Sequence, residues 1–155
     1  MIRIQREPFS ESEAFALREG RTDVGGLACF VGYVRDLNDG AGVAALELQH
    51  YPGFTESEIA RIVEEARRRF AILDCLVIHR FGRLEPADPI VLVAAISAHR
   101  EAAFEAARFI MDYLKTDAPF WKKETGPAGE RWIEPRGSDR AARAGWTQKE
   151  SKDEF

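Results

Sequence analysis

PIVLVAAISAHREAAFEAARFIMDYLKTDAPFWKKE, from Pro89 to Glu124, carries the signals that decide the fold. Its first nine residues are apolar with no alternation, which predicts a strand covered on both faces near the centre of a sheet. Ser97 then stands where a helix N-cap belongs. Phe104, Ala107, Met111 and Leu114 recur at steps of three and four, predicting a helix to about Thr116 with that stripe turned inward. Lys115 closes this helix, and Pro119 forbids its continuation because it has no N–H. Phe120 and Trp121 anchor the next segment, from which Lys122 and Lys123 project. The product is a cationic corner beside aromatic surface.

Working outward, Leu73 to Gly82 reads as a second strand, separated from Pro89 by the turn-rich Glu85 to Asp88. Ile2 and Ile4 alternate with polar neighbours as a short first strand, and Ser10 with Glu13 forms a capping box opening a helix that Gly20 stops. Gly26 to Arg35 and Val43 to His50 read as a hairpin joined by the polar, mobile loop LNDGAG. Thr55 with Glu58 repeats the capping box, and Ile59, Ile62, Val63, Ala66 and Phe70 follow at helical spacing. After Pro119, FWKKE, GPAG and ERWIE predict a small hairpin. Residues Ser138 to Trp146 predict a short last helix, and the apolar-poor stretch 147–155 a disordered tail. The expectation is one α+β domain over 1–146, with a mixed or antiparallel sheet, two main helices and a small β-hairpin subdomain.

With 45% apolar and 31% charged residues, 155 residues suit one globular core. A formal net charge of −4 argues against a protein that coats nucleic acid, which needs a net basic footprint, so any cationic site must be local. The chain has no run of eighteen apolar residues, and MIRIQREPFS lacks an apolar signal core. Neither a membrane span nor secretion is indicated, and the cytoplasm is the expected location. Cys29 and Cys75 fall in strand-like runs without metal or redox spacing and are expected to be small buried hydrophobes. His50 and His79 have no second ligand at metal spacing and read as structural, so no metal is assigned.

Several residues have two readings. His99 and Arg100 occupy the first turn of the long helix, where free N–H groups favour an anion, yet Arg100 can equally be a solvated helix start. Arg35 ends an apolar strand before a flexible loop, a place that serves a pocket rim or simply water. Lysine at a helix C-terminus is electrostatically favourable anyway, so Lys115 and Lys122 on their own support only an anion site.

Taken together, FVGYVRD at 30–36, HYPG at 50–53, SAHR at 97–100 and MDYLKTDAPFWKKE at 111–124 are more specific. In sequence, order and interval they resemble the large subunit of molybdopterin synthase, from about Leu27 to Trp146. The resemblance implies an α/β-hammerhead type of fold and a sulfurtransferase that converts cyclic pyranopterin monophosphate to molybdopterin. Sulfur would arrive as the C-terminal thiocarboxylate of a small ubiquitin-like subunit, which explains the lack of a catalytic cysteine. A homodimer core with a small subunit at each end is implied, and no cofactor is.

The resemblance assigns catalysis to Lys115 and Lys122, with Lys115 against the thiocarboxylate carbonyl. It assigns substrate contact to Tyr33, Val34, Arg35, His99, Arg100, Lys115, Lys122, Lys123, Glu124 and Arg136, and the partner's tail channel to Phe30 and Met111. Arginine offers paired donors to a phosphate, whereas a desolvated lysine can carry a proton. Tyr33 replaces a lysine common in the family, so only its backbone or hydroxyl could substitute. Arg100 and Lys115 are fifteen residues apart on one helix, roughly 22 Å at about 1.5 Å per residue, too far for one small substrate. A composite site is therefore expected, with Lys115, Lys122 and Arg35 from one protomer and His99 and Arg100 from its partner. The competing class is a non-catalytic module that binds a phosphopterin or a partner's tail.

Overall fold

The computed structural model describes residues 1–153. A four-stranded sheet in the order β1 (Ile2–Gln5), β6 (Ile72–Arg80), β8 (Pro89–Ser97), β2 (Gly26–Tyr33) forms the centre; β1 and β6 run parallel and the other pairs antiparallel. The apolar run Pro89 to Ser97 is thus an inner strand, as expected. Val91, Val93 and Ala95 face the helices α1 (Phe54–Arg69) and α2 (Arg100–Leu114), while Leu92 and Ala94 face a 3-10 helix (Glu11–Arg18) on the other side. Cover on both faces is why this strand shows no alternation.

A second sheet, in the order β10 (Gly129–Ile133), β9 (Phe120–Gly126), β5 (Ala45–His50), β7 (Gly82–Leu84), closes over Val34, Val43, Leu46, Leu48 and Leu84. It contains the expected β9–β10 hairpin. The architecture is α+β with mixed and antiparallel sheets, the class the sequence predicts.

Six local expectations change. Gly26 to Arg35 and Val43 to His50 do not pair: β2 bonds to β8 and β5 to β7 and β9, in different sheets. The turn signal between them is real but local. Asp39 (φ 50°) and Gly40 (φ 78°) join only β3 (Leu37–Asn38) to β4 (Ala41–Gly42). The capping box of α1 uses Glu56, whose carboxylate accepts the Gly53 N–H at 2.6 Å; Glu58 pairs instead with Arg61, and Thr55 is inside the helix. His99, not Ser97, is the N-cap of α2, because Ser97 still belongs to β8; its hydroxyl accepts from the His99 N–H at 3.2 Å and donates to Ala71 O at 2.8 Å.

Phe104 is 66% exposed, and Ala103, Ala106, Ala107 and Ile110 occupy the inner face of α2, small residues that let the helix lie close to the sheet. Cys75 is buried as expected, but Cys29 is exposed on the edge strand β2. The last helix, α3 (Gly137–Asp153), continues through most of the stretch expected to be a disordered tail; residues 154 and 155 lie outside the described residues. Trp146 anchors α3 by its ring contacts with Phe70 and Phe109 and by donating from Nε1 to Asp112 at 2.8 Å.

Candidate active site

Helix α2 ends as the sequence implies. The Lys115 N–H donates to Met111 O at 3.1 Å and the Asp117 N–H to Tyr113 O at 2.7 Å, and after Pro119 the chain enters β9. In β9, Lys122 lies opposite Leu48 of β5 and Ile133 of β10. Leu48 is fully buried, so this face of β9 is the inner one, and Phe120, Lys122 and Glu124 share it by alternation. Lys122 is half-buried. Loss of water and the neighbouring Lys115 cation lower its pKa, and Asp139 opposes the shift.

Asp139 is the anion around which this end is organised. One carboxylate oxygen lies 3.6 Å from Lys115 Nζ, and the other accepts the Arg136 N–H at 3.2 Å, capping the start of α3. Arg136 in turn donates to Asn38 Oδ1, which also accepts from Arg35 at 3.4 Å. Asn38 Nδ2 donates to Glu124, whose other carboxylate oxygen lies 3.0 Å from Arg131. Asn38 and Glu124 thus tie Arg35 of the loop, Arg131 of β10 and Arg136 before α3 into one rim, and Asp139 continues that rim to the two lysines. Five cations stand along it: Lys115, Lys122, Arg35, Arg131 and Arg136.

Other nominated residues lie apart. Lys123 alternates to the outer face of β9, where it is 3.5 Å from Glu130 and 5.8 Å from the Trp132 ring. Val34 packs in the small core, with its N–H bonded to Asp88 O and its carbonyl accepting from the Ala87 N–H. The Tyr33 hydroxyl donates to Glu11 at 2.8 Å, on the 3-10 helix, and is not part of the rim. Phe30 is 46% exposed on β2, and Met111 is buried in α2.

His99 and Arg100 are exposed at the opposite end of α2. That end is held tightly against β2: a Cβ on Gly25 would come within 2.0 Å of Ala98 O, and one on Gly26 within 3.5 Å of the Arg100 Cα. A 15-residue helix separates this pair from Lys115, about 22 Å along its axis. One chain therefore does not bring the two groups together.

Sequence reasoning missed Asn38, Arg131 and Asp139. Asp139 had a legible signal, an acid three residues after the cap position Arg136. Asn38 had only the turn composition around it.

The MoaE protein family model matches residues 4–117 of this sequence. The chain belongs to the MoaE family. As a MoaE chain it is 53% identical over 146 residues to the molybdopterin synthase catalytic subunit of Ralstonia nicotianae, covering 94% of this chain and 83% of that protein. It is 51% identical over 140 residues to the molybdopterin synthase catalytic subunit of Escherichia coli, covering 90% and 93%. The solved structure of a molybdopterin biosynthesis MoaE protein from Burkholderia ambifaria superposes with a TM-score of 0.79 at 53% identity, covering 95% of this chain and 97% of that one. No helix among the described residues is long and apolar enough to cross a membrane.

Proposed function

We propose that this MoaE chain is the catalytic subunit of a molybdopterin synthase, a cytoplasmic sulfurtransferase that converts cyclic pyranopterin monophosphate to molybdopterin. Its partner is a small ubiquitin-like subunit whose C-terminal thiocarboxylate delivers the two dithiolene sulfurs. The observation that carries this reading is the half-buried Lys122 beside Lys115, at the edge of a rim that also holds Arg35 and Arg136. Two guanidiniums supply paired donors for a cyclic phosphate. Lys115, the more exposed amine, stabilises the oxyanion that forms when the acyl–sulfur bond of the tail is attacked. Lys122, whose pKa is lowered, exchanges a proton near neutral pH more readily than an exposed lysine.

The site is completed by a second copy. His99 and Arg100 of the partner protomer supply the remaining donors, which reconciles their distance from Lys115 with a role on the same substrate. Phe30, exposed on β2, lines the approach of the small subunit's tail; Met111, expected there too, is buried in α2. The test is direct: the protein is mixed with a thiocarboxylated small subunit and the cyclic pterin, and the dithiolene product is sought by mass. Product that disappears with Lys115→Ala, while pterin and partner still bind, supports catalysis over a binding module; equal loss of binding favours the module. Absence of product with competent partners defeats the assignment.

A further inference from the structure

The imidazole of His79 has no part in the rim, yet it lies directly behind it. His79 is in β6 of the central sheet and is only 5% exposed. Its ring stacks on Phe120 of the second sheet, with centroids 3.8 Å apart and planes 14° from parallel. Nδ1 lies 2.8 Å from Arg80 O; a carbonyl can only accept, so Nδ1 carries the hydrogen and Nε2 the lone pair. The ring's plane and tautomer are therefore set by its own strand. Phe120 begins β9 immediately after Pro119, and Lys122 follows two residues later on the same face. The stack thus joins the two sheets at the strand that carries Lys122.

We propose that His79 is a positioning residue for Lys122, fixing through the Phe120 stack where β9 carries that side chain. This rests on the sulfur-transfer reading for its consequence in turnover, though not for its effect on the amine itself. The charged and titratable groups around Lys122 come from every neighbouring element: Lys115 at the end of α2, Asp139 in α3, His79 in β6 and Glu124 on β9 itself, with His50 of β5 opposite Phe120. A protonated imidazole here would add a further cation to a site already holding two lysines. Burial prevents that by pushing the His79 pKa down to about 3, so that the ring stays neutral across the working pH range. A neutral aromatic ring is what the stack requires, and phenylalanine can supply one.

The test compares His79→Leu, which removes the ring, with His79→Phe, which keeps it. Lys122 is followed in the free protein by the pH titration of its 13Cε resonance, identified by its loss in Lys122→Arg. In His79→Leu, a loosened β9 admits water to the amine, so the Lys122 midpoint rises toward that of an exposed lysine and kcat for sulfur transfer falls about tenfold. In His79→Phe both stay near the wild-type values. Phe120→Leu removes the stack from its other side and reproduces the His79→Leu result, so the conclusion does not depend on one variant folding. Folded leucine variants with an unchanged Lys122 midpoint overturn the proposal, as does a His79→Phe protein as impaired as His79→Leu. If the wild-type protein makes no dithiolene product, the sulfur-transfer reading fails, and the titration still decides the role of His79.

Discussion

The two ends of helix α2 are built in opposite ways. At the N-terminal end, His99 and Arg100 are exposed beside β2, in a backbone seat so close that Gly25 admits no Cβ. At the C-terminal end, Lys115 meets the second sheet and α3, and the charged side chains there are tied to Asp139, Asn38 and Glu124. Charged side chains reach solvent at both ends, but only at the C-terminal end are they tied into a network of carboxylate and amide partners. Preorganised charge is worth more in a site that excludes water. The difference teaches that within one chain the network of charged partners gathers at the C-terminal end of α2, and that His99 and Arg100 stand apart from it.

The largest expected effect tests that division. Lys122→Ala should lower kcat for sulfur transfer by about 10²–10⁴-fold with the small subunit still bound, whereas Arg100→Ala should act mainly on KM for the pterin. Steady-state kinetics with both substrates varied would separate the two, and a pure KM effect from Lys122→Ala would break the comparison. Next comes the anchor of α3. Trp146→Ala removes a ring packed on Phe70 and Phe109 and should cost about 3 kcal/mol in denaturant unfolding. It should also loosen the Asp139 end while leaving resonances around His99 unmoved.

A smaller shift is expected from Asp139→Asn. Because the Asp139 charge raises the Lys122 pKa, its removal should move that pKa further down, and the limb of the kcat–pH profile that follows Lys122 should move toward acid. A move toward alkali would contradict the assignment of Asp139 as the opposing charge. The finest test joins the two ends. A mixed dimer of His99→Ala and Lys115→Ala chains carries one doubly damaged and one intact composite site, and should recover about half of the wild-type activity per dimer. Well-folded mixed dimers with no activity would sink the composite site.

Much of the fold was legible where one periodicity dominated. Pro89 to Ser97 had to be covered on both faces, and it is. Helix α2 was legible as a helix, but its inward face was misjudged at Phe104, since a large apolar residue was preferred to the alanines that allow close approach to the sheet. The paired strands around LNDGAG were misassigned because a turn signal specifies the bend and not the partner: β2 gains a longer antiparallel register with β8 than it could with β5. The lysines were legible by residue type and spacing. Of the acceptors at this end, Glu124 came through the resemblance, while Asn38 and Asp139 were missed, because Asn38 showed only turn composition and Asp139 only a capping signal far along the chain from the lysines.

By itself, the sequence determined the longer strands and the two main helices, the cationic helix end, the family and the separation of Arg100 from Lys115, since each follows from local spacing, residue type or resemblance. Only the tertiary structure decided which face of β9 turns inward, and with it that Lys122 lies beside Lys115 while the adjacent Lys123 faces away. It also decided that His79 backs the strand and that Asp139 joins the two lysines. Alternation along a strand tells which side chains share a face, but burial of that face depends on the sheet packed against it, and that packing joins residues dozens of positions apart.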